Sequence, residues 1–291
     1  MKNSIEFSPA SVAAWARVDA ERALAEDLRG GDLTAELVDP LRRARARVLA
    51  REAAVLCGRP WVEAALSALD ATAQIHWLVD EGQRCSPDQV VLEIEAQAQA
   101  LLSAERTLLN FLQLLSAVAS KTALYVSAVA GTRAQIVDTR KTIPGLRLAQ
   151  KYAVRCGGGV NHRIGLFDAV LIKENHILSA GGVTAALQLA QRVASQASFI
   201  EIEVETLSEL DEALAAGAQM VLLDNMALPD LHEAVRRNQL RGVGRAVLEI
   251  SGGVTLESVR ELAQTGVDRI SVGALTKDVK AIDFSMRFLE L

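Results

Sequence analysis

Hydrophobic and polar positions alternate in two regimes along the chain. From residue 134 onward, short and nearly continuous apolar runs recur at Ala134–Val137, Ala169–Ile172, Phe199–Val204, Met220–Leu223, Ala246–Ile250 and Arg269–Val272. Between most of them lie helix-length stretches: Leu146–Arg155, Thr184–Ser195, Leu207–Ala216, Leu228–Asn238 and Leu256–Thr265. Apolar strands alternating with helices predict a parallel sheet covered by helices. Periodicity leaves a reduced α/β barrel and an open doubly wound sheet both standing. The first strand lacks a dinucleotide-type glycine fingerprint, which weighs against the open sheet.

The first hundred residues read differently. Trp15–Leu28 has helical spacing and ends at Gly30-Gly31, Pro60–Leu69 predicts a second helix, and Ala44–Ala50, Ile75–Val79 and Val90–Ile94 predict short strands. This is the pattern of an α+β unit in which a helix covers a small sheet. Ala98 to Val129, rich in Ala and Leu and free of Pro and Gly, predicts one or two helices joining the halves.

Composition narrows the function. The 291 residues carry 31 Lys+Arg against 36 Asp+Glu, a net charge of −5, and half are hydrophobic. A disordered, collagen-like or disulfide-stapled protein is excluded, and an acidic chain is a poor general binder of nucleic acid. The opening segment has Glu6 and no apolar core, so no signal peptide is expected there. The charge-free stretches Thr107–Ser120 and His176–Gln191 fall short of the roughly 18–20 residues of a membrane span. Cys57, Cys85 and Cys156 contain no Cys-x-x-Cys pair, which predicts buried free thiols in the cytoplasm.

The apolar runs end in polar or glycine residues, which is where α/β folds place their chemistry. Asp138-Thr139-Arg140-Lys141 follows the first run, Lys173-Glu174-Asn175-His176 the second and Asp224-Asn225 the fourth; Glu201, Glu203 and Glu205 alternate through the third. Ser251-Gly252-Gly253 and Gly273-Ala274 close the last two runs, and such glycine loops let backbone N–H groups approach a phosphate. Residues 133–174 hold eight cations against three acids, a net +5 that leaves −10 for the remainder. Arg140, Lys141, Arg163 and Lys173 flank strands or glycine turns and suit a small polyanion, whereas Arg147, Lys151 and Arg155 read as the wet face of a helix. Gly157-Gly158-Gly159 before Asn161-His162-Arg163 suits either an anion-binding loop or a hinge. The four histidines lack zinc-site spacing; Glu203 and Asp224 suit ribose hydroxyls or a magnesium-bound phosphate.

The run Asp138-Thr139-Arg140-Lys141-Thr142-Ile143-Pro144-Gly145-Leu146-Arg147, with Lys151-Tyr152-Ala153-Val154, Gly157–Arg163 and Leu171–His176, resembles the quinolinate phosphoribosyltransferase family. Glu26-Asp27, Gly31-Asp32-Leu33-Thr34, Glu105-Arg106-Thr107, Leu223-Asp224-Asn225, Ser251–Gly253 and Val272–Leu275 extend the likeness over nearly the whole chain. Arg29 departs from it, standing where glycine is frequent. The resemblance implies an N-terminal α/β sandwich over residues 1–113, an incomplete α/β barrel of about six or seven strands over 114–278, and a tail over 279–291 returning to the first domain. It implies that quinolinate and phosphoribosyl pyrophosphate give nicotinate mononucleotide, pyrophosphate and CO2 with Mg2+, in NAD biosynthesis; a related pyrophosphorylase using another acceptor is the alternative. By matching position, Arg140, Lys141, His162, Arg163 and Lys173 would line the quinolinate pocket. Glu203, Asp224, Ser251, Gly252, Gly253, Val272, Gly273 and Ala274 would hold the phosphoribosyl group, and Thr139 would also bind substrate. Lys141, Lys173, Glu203 and Asp224 would be the catalytic set, with Glu203 and Asp224 also facing the metal. Arg106 would enter the neighbouring subunit's site in a homodimer.

Overall fold

The computed structural model describes residues 5–290. The elements run α1 (Pro9–Leu28), β1 (Arg43–Ala50), β2 (Ala54–Val55), α2 (Arg59–Ser67), β3 (Gln74–Trp77), β4 (Arg84–Cys85), β5 (Val90–Gln97) and α3 (Ala98–Ala128). They continue with β6 (Gln135–Val137), α4 (Arg147–Cys156), β7 (Val170–Ile172), α5 (Glu174–Ala180), α6 (Val183–Val193), β8 (Ile200–Val204), α7 (Leu207–Ala215) and β9 (Met220–Asp224). Last come α8 (Leu228–Gln239), β10 (Val247–Ser251), α9 (Val259–Gln264), β11 (Arg269–Ser271), α10 (Ala274–Lys277) and β12 (Phe284–Glu290). Two compact units result: one holds Glu6–Ala123, Thr142–Gly158 and the stretch from Leu275 onward, the other Leu124–Lys141 and Gly159–Ala274.

The first unit is built on an antiparallel sheet in the order β12-β1-β5-β3. Alternation decides its register: Val48 stands opposite Leu92 on one side and Met286 on the other. Its core joins Val48, Leu92 and Ile94 to Leu101, Leu108 and Leu112 of α3. α3 is a single helix, long and apolar enough by length and composition to cross a membrane, yet 56% of its most apolar window is buried within the protein. α1 begins earlier than its apolar periodicity suggests, because Ser8 accepts from the N–H of Ser11 at 3.2 Å and Pro9 occupies the first turn. α4, which the chain order alone puts among the barrel elements, belongs here: Tyr152 packs on Trp61 with ring centroids 5.6 Å apart, and Gln150 donates to Thr276 O at 2.8 Å. Lys151 is fully buried on this helix, not on a wet face, while Arg155 is exposed and lies over the Phe7 ring.

Arg29 ends α1 with φ 44° and ψ −93°, a conformation that burdens any side chain with a Cβ. Arg29→Gly is expected to raise the unfolding free energy by about 1 kcal/mol, measured by urea denaturation; no gain would mean that the arginine relieves the strain through its own contacts.

The second unit is a six-stranded parallel sheet in the order β6-β11-β10-β9-β8-β7 with helices between its strands. α7 and α8 sit where the periodicity puts them. α5 is an addition: its N-cap is Lys173, whose N–H donates to His176 Nδ1 at 2.9 Å, and it stops at Gly181 in the left-handed conformation.

Candidate active site

Period-2 geometry sends residues two apart on a strand to the same face, and in the parallel sheet this organises the polar side chains into layers. Leu171 pairs with Glu201, Glu203 with Leu222, Leu222 with Glu249, Glu249 with Arg269, and Val137 with Ser271. Thr139, Lys173, Glu203, Ser251 and Ser271 thus stand at or just beyond the C-terminal strand ends. Together with Arg140, Lys141, His162, Arg163, Leu171 and Leu222 they enclose a cavity of about 160 Å³.

Most residues singled out from the sequence converge there. Lys173 Nζ donates to Glu203 Oε2 at 2.6 Å. Asp224 lies in register with Ser251, and the Asn225 N–H donates to Ser251 O at 3.0 Å. Gly252 has φ +99°, and a Cβ there would fall 2.1 Å from Asn225 Oδ1, so only glycine fits this close approach. Gly273 packs against the Lys141 side chain, with a would-be Cβ 3.2 Å from its Cδ. Asp224 at the end of β9, Gly252, Gly253, Val272 and Gly273 in the loops after β10 and β11, and Ala274 at the start of α10 are not part of the cavity's wall. Arg106 is not brought to it: it is exposed on α3 in the other unit, beside Glu26, Asp27 and Asn110. Within the Gly157–Gly159 run, Gly157 has a packing reason of its own. A Cβ there would lie 2.4 Å from Ala119 O, so the residue is glycine because α3 passes against it.

The cavity wall continues into a buried polar network, of which the sequence pattern did not mark Glu249 or Ser271. Asp138, fully buried, accepts from Asn161 Nδ2 at 2.6 Å and from the His162 N–H at 2.9 Å. It thereby ties the 160–162 segment to β6. The Arg163 N–H donates to His162 Nδ1 at 2.7 Å, which places the imidazole proton on Nε2, facing Glu201 Oε2 at 2.7 Å. Glu249 lies 3.6 Å from the same nitrogen, pairs with Arg269 at 2.9 Å and accepts from the Ser271 hydroxyl. Arg163, itself buried, has its pKa lowered first by burial and then by the neighbouring Arg140 charge. Such a guanidinium gains most from an anion that enters the cavity. Arg140 Nε is likewise buried without a hydrogen-bond partner.

Burial raises Glu201 and Glu249 to about 7. The unfolded chain releases these protons near 4.5, so the folded state holds more protons between about pH 4.5 and about pH 7. Their contribution to stability is complete below that window and is lost as pH rises through about 7. Urea unfolding is therefore expected to show stability falling across the window, and less steeply in Glu249→Gln; identical slopes would contradict the buried-proton assignment.

Matches to known proteins agree with this architecture. Residues 32–116 match the N-terminal domain and residues 118–287 the C-terminal domain of quinolinate phosphoribosyl transferase. The nicotinate-nucleotide pyrophosphorylase [carboxylating] of Mycobacterium leprae is 43% identical over 278 residues, 93% of this chain and 96% of that protein. Quinolinate phosphoribosyltransferase [decarboxylating] 1b of Nicotiana tabacum is 37% identical over 91% of this chain and 80% of its own. The solved nicotinate-nucleotide pyrophosphorylase of Francisella tularensis superposes with a TM-score of 0.91 at 42% identity, covering 99% of each chain. On its fold, its strand-end cationic cavity and these matches, the chain belongs to the quinolinate phosphoribosyltransferase family.

Proposed function

We propose that the chain transfers the phosphoribosyl group of phosphoribosyl pyrophosphate to the ring nitrogen of quinolinate, with decarboxylation, giving nicotinate mononucleotide, pyrophosphate and CO2 for NAD biosynthesis. The observation that carries this reading is the cavity itself. Arg140, Lys141, Arg163 and Lys173 face about 160 Å³, with Glu203 as the one carboxylate in its wall. That space suits a small dicarboxylate and is too small for a polymer.

The chemistry follows from charge. Arg140 and Arg163 clamp the two carboxylates of quinolinate, a bidentate role that guanidinium serves and that orients the ring nitrogen. That nitrogen is already nucleophilic, so no side chain has to act as a strong base. As the bond between the anomeric carbon and pyrophosphate lengthens, positive charge grows on the ribose, and Glu203 and Asp224 stabilise it from adjacent strands. The loop amides of Ser251–Gly253 and Val272–Ala274, with Thr139, hold the phosphates. Once the ring nitrogen carries the ribosyl group it is cationic, and it accepts the electron pair left when the 2-carboxylate departs as CO2; solvent returns a proton to that carbon. Lys141 and Lys173 hold positive charge beside the leaving carboxylate.

Magnesium fits this donor set. Glu203 and Asp224 offer carboxylate oxygens only, and a magnesium ion binds through one or two carboxylates together with substrate phosphates. When bound it supplies positive charge to the leaving pyrophosphate. Three free thiols agree with a reducing, cytoplasmic setting.

The functional unit in this proposal is a homodimer in which Arg106, exposed on α3, completes the neighbouring subunit's site. Arg106→Ala and Lys173→Ala are each expected to be inactive alone. Unfolded and refolded together, they form hybrid dimers with one intact site, restoring about a quarter of wild-type activity by random pairing. No recovery would refute donation across the interface. The acceptor is tested by supplying quinolinate or nicotinate with phosphoribosyl pyrophosphate and magnesium: nicotinate mononucleotide should form from quinolinate alone, and preference for nicotinate would overturn the reading.

A further inference from the structure

The unit that carries the antiparallel sheet holds a second group of ligating side chains, none of which lines the cavity. Cys57, Glu81 and Cys156 each present one donor atom, and the three atoms lie within 4.8 Å of one another. The phenol of Tyr152, one helical turn before Cys156 on α4, stands beside Glu81 and Cys156.

Each ligand is held by its backbone. The Cys57 N–H donates to Ser116 Oγ at 3.0 Å, and that hydroxyl donates back to Cys57 O at 3.1 Å. Gly82 N–H donates to Leu56 O and Leu56 N–H to Gln83 O, both at 2.8 Å, which pins the Glu81 turn beside Cys57. The Glu81 carboxylate caps α2, accepting from the Gly58 N–H at 2.8 Å and the Arg59 N–H at 3.1 Å. Each oxygen keeps a second lone pair. Cys156 is fixed by Gly157, which lies directly against α3, and Tyr152 by its contact with Trp61. Three chain segments thus meet at one point before any ligand arrives, which is how a preorganised site is built.

Glu81 brings the one formal charge to that point, and its carboxylate sits at the start of α2. Two thiols, a carboxylate and a phenol meet, and among the described residues no lysine or arginine pairs with Glu81. The nearest candidate in sequence, Arg59, is engaged with Asp80 at 2.9 Å and with the Trp77 ring. What carries the reading is the convergence of two sulfur donors and one carboxylate oxygen within 4.8 Å of one another. Thiolate ligands select borderline or soft ions over magnesium. A tetrahedral ion with metal–sulfur bonds of about 2.3 Å sets its ligand atoms roughly 3.5–3.8 Å apart, within reach by side-chain rotation from the spacing seen here.

We propose that Cys57, Cys156 and Glu81, with Tyr152 as fourth donor, form a binding site for one divalent cation of the zinc class, separate from the magnesium expected at the phosphoribosyl site. Each thiol yields its proton to solvent as its sulfur–metal bond forms, so affinity rises with pH. The bound ion joins the start of α2 to the end of α4 and stabilises the folded chain by linkage.

Cadmium is the probe. The full chain is reduced, freed of reductant and titrated with Cd2+ while the ultraviolet thiolate-to-cadmium band is followed. The band should saturate at one equivalent, be bleached by Zn2+ and ignore excess Mg2+. Cys85→Ser should keep it. Cys57→Ser and Cys156→Ser should each lose half of it or more, with affinity lowered on the order of tenfold or more. Because Cys57 is fully buried, circular dichroism checks its variant's fold, and Tyr152→Phe supplies an independent arm, keeping the band but binding more weakly. Absence of a band, dependence of the band on Cys85, or its full survival in both Cys57→Ser and Cys156→Ser would overturn the proposal.

Discussion

Lys173→Ala is expected to abolish nicotinate mononucleotide formation, lowering kcat/KM by on the order of 10³ or more, and Arg140→Ala to do the same. Lys173 is 49% exposed, and its packing role at the start of α5 is played by its backbone, so the fold loses little. Its ammonium is the direct partner of Glu203 at 2.6 Å. Removing it deprives the substrate of a cation and leaves Glu203 unbalanced beside an anionic ligand. Among the described residues Arg140 makes no ion pair, and its buried Nε has no hydrogen-bond partner. Steady-state kinetics with circular dichroism as a fold control checks both variants. Turnover like the wild type in either, with the fold intact, would refute the roles given to them.

Gly252→Ala has the next largest expected effect. The new methyl group would meet Asn225 Oδ1 at 2.1 Å while the backbone is held at φ +99°. Asn225 cannot retreat freely, since its N–H bonds Ser251 O and its side-chain amide donates to Asp224 Oδ2 at 2.8 Å. The loop must therefore open and carry Asp224 with it. KM for phosphoribosyl pyrophosphate is expected to rise by about tenfold or more and unfolding free energy to fall by about 1–3 kcal/mol. Gly253→Ala, with nothing within 4 Å of the added carbon, should be milder. Equal effects at the two positions would show that contact with Asn225 is not what the loop depends on.

Much of this was legible in the sequence because strand and helix periods differ and the barrel-like unit repeats them. All six strands fall within or at the edge of runs recognised by apolar continuity, and their polar ends mark the cavity. What escaped did so for physical reasons. Glu249 and Arg269 are single charges inside apolar strands and become informative only when the register sets them opposite one another. Asp138 is recognisable in its motif, but its work of holding residues 161 and 162 depends on a parallel bridge between Val137 and Val160. Lys151 follows the spacing of an exposed cation, and tertiary packing buries it. The return of β12 to the edge of β1 pairs residues more than two hundred positions apart; the family resemblance implies that return, and local patterning does not encode it.

Arg106 marks a different limit. It is exposed on α3 and is not part of the cavity's wall, so the role proposed for it depends on a partner subunit. Glycines show the same contrast on a smaller scale. Gly157 and Gly252 look alike in sequence; one is required by a passing helix, the other by an asparagine side chain across a strand end.

The central claim is that phosphoribosyl transfer and loss of the 2-carboxylate occur together on quinolinate in this chain. Supplying quinolinate labelled with ¹⁴C in the 2-carboxylate, with phosphoribosyl pyrophosphate and magnesium, and counting released CO2 against pyrophosphate tests it directly. The account predicts equal amounts of the two products at every time point and neither product when quinolinate is omitted. Pyrophosphate released without labelled CO2 would contradict it.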